Sequence, residues 1–222
     1  MRELYEVNSA NYPRLETDRF FADYENNYSF TGFVDDQIRY IEQFQLMDAD
    51  RWSRFVRQFK EQTDFKSGWR GEYWGKMMRG AALTYSYTRN ETLYCVMTET
   101  VKDMITAADD MGRISTFAVA HEFRSWDIWC RKYVLLGMQY YLEVCEDPAF
   151  AQKVIDSMRG QLDYIIARIG SKKDGKKPIT SATRNWRGLN SSSLLEPVVR
   201  LYSLTKEQRY LDFAPIWWKT VR

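Results

Sequence analysis

One histidine, His121, is present in 222 residues. Cysteine is almost as scarce. Cys95, Cys130 and Cys145 stand 35 and 15 residues apart with no CxxC pair. An odd count gives no disulfide framework, and these spacings give no recognisable zinc site. All three fall in helical patterns, so buried structural thiols are expected. No apolar run approaches the ~20 residues that cross a bilayer. The start, Met1 to Tyr5, lacks the apolar core of a signal peptide, which makes a cytoplasmic address the default. An excess of one charge is also missing: net charge is +2 with both signs interspersed. That argues against a nucleic-acid partner. The basic cluster Lys172, Lys173, Lys176 and Lys177 surrounds Asp174-Gly175 and reads as a solvated turn. Strand signals are nearly absent. The one β-like stretch, Ile114 to Val119, reads as a short extended loop. No GxSxG frame surrounds Ser191 to Ser193, so a capping segment is expected there rather than a nucleophile.

What is present is apolar and aromatic. Apolar residues make up 45%, enough for one substantial core, and aromatics 16%, with eight tryptophans. Residues 1–33 have no clear period and read as an irregular arm. Residues 34–222 read as one helical domain. Ile38, Ile41 and Phe44 to Leu46 recur at spacings of three and four, as do Trp52, Phe55, Val56 and Phe59. Asp48 or Asp50 is the expected N-cap of that second helix. Three later segments repeat one pattern: the end of an amphipathic helix, a polar turn, the start of another helix. The turns are Arg89-Asn90-Glu91, Glu146-Asp147-Pro148 and Lys206-Glu207-Gln208. Thr88 to Cys145 spans 57 residues and Cys145 to Thr205 spans 60. A period of about 58 residues with two helices is an αα-hairpin array. The Lys-, Gly- and Ser-rich stretch from Gly170 to Asn190 is a long loop of the kind that often carries function.

The repeat also predicts where polar residues meet. Sixteen residues before each mark lie Glu72, Trp129 and Leu189, each beside a polar-aromatic cluster. The clusters are Gly68 to Trp74, then His121 to Phe123 with Trp126-Asp127, then Asn185 to Ser192. All three belong at one end of the stack, where they could line a shared cleft. Carboxylates there bind hydroxyls or move protons, and indole faces stack on the C–H side of a sugar ring. The candidate binding residues are Trp69, Glu72, Trp74, His121, Trp126, Asp127, Arg187 and Asn190. A purely structural reading competes: Asp127, Asn190 and Ser191 sit where N-caps belong, Glu72 lies in a first turn, and a lone histidine is usually structural.

Gly71-Glu72-Tyr73-Trp74-Gly75-Lys76 resembles the GE-aromatic-aromatic-GK segment of the β-L-arabinofuranosidase family, glycoside hydrolase family 127. Asp109 to Ile114, Asn190 to Pro197, Leu201-Tyr202 and Tyr210 to Ala214 are similar to further segments of that family. The match runs from about Gly68 to the C-terminus, with residues 34–67 looser. The resemblance implies a catalytic (α/α)6 barrel and hydrolysis of a glycosidic bond with retention. It implies a glutamate acid/base and a zinc-bound cysteine nucleophile, both later in the family's chain than this segment. No cofactor is identifiable in this chain itself. Tyr133 stands where many members have a sugar-contacting histidine. Six hairpins at this period need roughly 350 residues, by the stacking logic of closed repeats. The expectation is therefore an all-α, incomplete (α/α)6 toroid, ending inside a helix near Trp217-Trp218. Its open apolar face would support self-association. The leading reading is the N-terminal part of a hydrolase acting on a plant or bacterial glycan oligosaccharide. Glycosidases usually need two carboxylates, and Glu72 with Asp127 or Glu122 is the pair on offer. The competitors are a non-catalytic module binding a glycan or protein on its concave face, and a polysaccharide lyase using His121, Arg187 and Asn190.

Overall fold

The computed structural model describes residues 29–183 and 185–215, apart from the side chains of Asn185 and Arg187. The arm assigned to residues 1–33 and the terminal Trp217-Trp218 helix thus fall largely or wholly outside the described residues. Within them the protein is 72% helical, with no strand. The extended stretch near Phe117 makes only isolated bridges, to Thr63 and Asp64. No helix among the described residues is long and apolar enough to cross a membrane.

The first helix, α1 (Phe33–Ile41), runs into a π-helical turn (Glu42–Leu46). Its apolar stripe stays outside: α1 buries no residue, and Tyr40 stacks obliquely on an equally exposed Phe44. Helix α2 (Ala49–Glu61) starts at Asp48, whose carboxylate accepts from the Arg51 amide. It buries Trp52, Val56 and Phe59 of the predicted stripe, with Phe55 partly buried. Then come α3 (Glu72–Thr88) and α4 (Glu91–Ile105), turned by Arg89 in the left-handed region and capped by Asn90. Next are α5 (Asp127–Val144) and α6 (Pro148–Arg168), with Asp147 as cap and Pro148 at the first helical position. Short α7 (Leu189–Ser192) precedes α8 (Leu195–Thr205) and α9 (Gln208–Phe213). Each of the three predicted polar turns therefore joins the two helices of a hairpin.

The repeat appears directly as a constant offset in tertiary contacts. The Trp129 indole reaches Glu72, 57 residues back, Gln139 donates to the Pro197 carbonyl, 58 residues on, and Tyr85 donates to Glu146, 61 residues on. Such an offset means that α3, α5 and α8 run parallel, with their outer partners folded back along them. The closest pair is α3 with α5. It depends on two glycines: a Cβ on Gly75 would lie 1.8 Å from the Tyr133 carbonyl oxygen, and one on Gly137 would lie 2.7 Å from the Trp74 ring. Bare backbone is what lets the helices touch. Helix α5 buries 15 residues and is the centre of the molecule.

Several local expectations fail. Cys130 and Cys145 are buried, but Cys95 is exposed, because it lies on the solvent side of α4. Asp127, Asn190 and Ser191 are not N-caps: Trp126 and Gly188 hold those positions, and neither makes a side-chain cap. In the basic turn, Lys176 and Lys177 are not free in water. Their ammoniums donate to the carbonyls of Ile166 and Phe123.

Candidate functional site

Helix phase decides which side chains face the end of the stack. On α3, Glu72, Lys76 and Arg79 lie one helical stripe apart at i, i+4 and i+7. Trp74, Met78, Ala81 and Tyr85 lie on the opposite face and are buried. On α5, Trp129, Lys132 and Tyr133 share the stripe that meets Glu72 and Lys76. The result is a cleft of about 360 Å³ lined by Trp69, Glu72, Lys76, Trp126, Trp129 and Trp186. Each of the three predicted clusters contributes a tryptophan: Trp69 from the first, Trp126 from the second, Trp186 from the third. They converge as the repeat requires.

The cleft walls are indole edges and faces. Trp126 meets Trp129 at 5.8 Å and Trp186 at 5.5 Å, both edge-on. The backbone that presents them is strained. Ser125 and Trp186 have φ of 49° and 47°, in the left-handed region that a bulky side chain disfavours. Ser125 is tied down by its hydroxyl, which donates to the Lys66 carbonyl at 2.7 Å with the Ser67 carbonyl 3.0 Å away. Among the described residues of the lining, Glu72 is the one carboxylate. One oxygen pairs with Lys76 at 2.8 Å and the other accepts from the Trp129 indole. The Lys76 ammonium also lies 5.8 Å from the Trp129 ring centre and 4.9 Å from that of Tyr133. The cleft thus offers charged hydrogen-bonding groups beside flat apolar faces.

Other predicted residues lie elsewhere. Trp74 is a core residue: it is fully buried and its indole donates to Thr100 at 3.0 Å. Asp127 is fully buried and accepts from the Ser115 hydroxyl (2.6 Å), the Phe123 amide (2.7 Å) and Arg131 (2.8 Å). Glu122 accepts from Arg131 at 2.9 Å and from the Tyr164 hydroxyl at 2.8 Å. Neither carboxylate faces Glu72 across the cleft, so the pairing of Glu72 with Asp127 or Glu122 is not assembled. Both acids serve Arg131, which is caged between the rings of Phe123 and Tyr164. His121 packs edge-on against Phe65 at 4.3 Å, outside the cleft lining. Asn190 is buried and donates to Thr183 at 3.3 Å. The Arg187 side chain lies outside the described ones. The sequence did not mark Lys76, Trp129 or Trp186 as binding residues, although Lys76 and Trp186 stood inside the segments singled out and Trp129 was the position equivalent to Glu72. Helical phase from Glu72 finds Lys76, and the step of sixteen residues back from Cys145 falls on Trp129.

The zinc site that the resemblance implies can be tested against the donors. Among the described residues no three His, Cys, Asp or Glu side chains converge on one point. The Cys130 thiol donates to the Gly68 carbonyl at 3.1 Å, and burial holds its pKa well above the ordinary range. Cys145 points at the Asp147 carbonyl at 3.4 Å. These two thiols, each turned to a backbone carbonyl, do not fit a zinc-ligand set.

Comparison with known families gives a match to the model described as the catalytic domain of β-L-arabinofuranosidase, family GH127, over residues 17–221. No curated protein matches the chain.

Proposed function

The chain belongs to the GH127 β-L-arabinofuranosidase catalytic-domain family, and from that premise we propose that its tryptophan cleft is a substrate subsite for a furanoside residue of a glycan oligosaccharide. The observation that carries this reading is the lining itself, which among the described residues places four indoles around one carboxylate and one ammonium. A sugar ring placed there stacks its C–H face on Trp126 or Trp129. Glu72 accepts from ring hydroxyls and Lys76 donates to ring oxygens. Lys76 and the Trp129 indole fix the Glu72 carboxylate before ligand arrives, so little side-chain freedom is lost on binding. In this reading Glu72 orients the sugar. The acid/base and nucleophile of the family's reaction are not assigned to any described residue, because among the described residues that line the cleft no second carboxylate faces Glu72.

A second reading, a module that holds a glycan without cleaving it, is favoured by Asp127 and Glu122 being engaged with Arg131 rather than facing Glu72. One experiment separates the two. Methyl β-L-arabinofuranoside is titrated calorimetrically into the purified chain, and hydrolysis of the p-nitrophenyl β-L-arabinofuranoside is followed alongside. Saturable binding with hydrolysis supports the enzyme reading. Saturable binding without it supports the module. No binding at millimolar sugar removes both.

A further inference from the structure

Beside the tryptophan cleft, and sharing Lys76 with it, lies a second hollow of about 370 Å³. Lys76, Arg79, Lys132, Tyr133, Tyr140 and Glu196 are among its walls. A neutral furanoside leaves this charge pattern unused. Lys132 comes from the buried helix α5, and its side chain is only 10% exposed. Its ammonium is held only loosely, by an ion pair with Glu196. The nearest carboxylate oxygen, on Glu196, is 3.8 Å away, and Glu196 is shared with Arg200 at 3.5 Å. What faces the ammonium instead is aromatic: the Trp129 ring at 5.1 Å and the Tyr133 ring at 4.9 Å. Burial holds Lys132 below the ordinary lysine range, and the Lys76 charge adds to this against the pull of Glu196. Arg79, one turn along α3, pairs with no carboxylate among the described residues and sits 5.3 Å over the Tyr140 ring. Lys76 is already paired with Glu72.

The Lys132 ammonium thus has only a distant carboxylate, itself shared with Arg200, and an anion arriving between Lys132 and Arg79 pairs with both cations more closely. We propose that this hollow binds the carboxylate of an acidic sugar residue, adjacent in the glycan to the residue held in the tryptophan cleft. Lys132 and Arg79 are its principal ligands, with Lys76 bridging the two sites. The guanidinium of Arg79 matches a planar carboxylate, and the rings of Tyr133 and Tyr140 offer the flat walls that a sugar takes and a small inorganic anion does not use. The inference rests on the reading of the first cleft as a sugar subsite.

The test is a set of titrations of the intact chain followed by tryptophan emission, since Trp129 lies under both lysines. The ligands are methyl galacturonoside, methyl galactoside, methyl β-L-arabinofuranoside and inorganic phosphate. The acidic galactoside is expected to bind at least about ten-fold more tightly than the neutral one. Arg79→Gln and Lys132→Gln should each bring that ratio close to one. Arg79 is exposed, so its variant decides the matter even where Lys132→Gln fails to fold. Equal binding of acidic and neutral galactosides, with the arabinofuranoside still bound, overturns this inference and leaves the first reading standing. Phosphate binding as tightly as the galacturonoside, and displacing it, overturns the saccharide assignment in favour of a general anion site. Failure of every sugar to bind overturns both.

Discussion

Trp126 and Asp127 are neighbours with opposite duties. Trp126 is half-buried and its ring forms the middle of the cleft wall. Trp126→Ala should weaken methyl β-L-arabinofuranoside binding about five-fold, the equivalent of ~1 kcal/mol for one aromatic contact. Calorimetry reads that change, and the denaturation midpoint should barely move. Asp127 points the other way, into the core, where Arg131 is its ion-pair partner at 2.8 Å. Asp127→Ala leaves that guanidinium buried with only Glu122 for charge, and should cost ~3–5 kcal/mol in urea unfolding. A variant that unfolds like the parent would refute the structural role. The sequence placed both residues in one polar cluster, and nothing in one-dimensional order separates them. A step of one residue turns a helix by about 100°, so adjacent side chains face cleft and core. The same phase error put Trp74 among the candidate binding residues, although it is Trp129, sixteen residues before its turn mark, whose ring lines the cleft.

For the elements, legibility followed capping chemistry. Asn90 and Asp147 each accept from two backbone amides at the start of α4 and α6. Those side chains, with Pro148, made two hairpin turns readable without any tertiary knowledge. Asp48 did the same for α2. The close contact of α3 with α5 was not readable in this way, because a glycine inside a helix announces itself only as a weak helix former. Gly75→Ala should wedge the pair apart at the Tyr133 carbonyl and lower stability by roughly 1–3 kcal/mol. The clash is with backbone, which cannot swing aside. An unchanged melting temperature would show that the helices separate freely there. The turn after α4 carries a pH signature. Burial opposes ionisation of Asp109, but hydrogen bonds from the backbone and side chain of Arg113 and from the Met111 amide outweigh it. They hold the carboxyl below the ordinary value of 3.8. A carboxyl lowered in the folded state adds stability above its unfolded pKa, and that share is lost as pH falls through the folded one. Stability measured from pH 5 down to pH 2 should therefore fall less steeply in Asp109→Asn than in the parent.

Across the whole molecule, the repeat of about 58 residues was the most dependable guide, because stacking hairpins must keep one offset to keep their faces together. That offset carried the convergence of three distant segments on one cleft into view from sequence alone. It could not say which polar residues in those segments had core partners, since partners such as Arg131 with Glu122 and Tyr164 with Glu122 depend on burial rather than on period. Burial also grades the stability of the molecule. Helix α5 is enclosed by α3, α6 and α8, whereas α1 buries nothing. Hydrogen exchange should be slowest along α5 and fastest along α1; a reversal of that order would contradict the central position of α5. The indoles at the mouth of the cleft have a consequence of another kind. Trp126 sits within 6 Å of both Trp129 and Trp186, at interplanar angles of 68° and 83°. Chromophores so close and so steeply inclined share their excited states, so the three rings absorb as one chiral antenna. The circular dichroism of this protein should carry a paired band of opposite signs at the strong far-ultraviolet transition of indole, which collapses when any of the three rings turns.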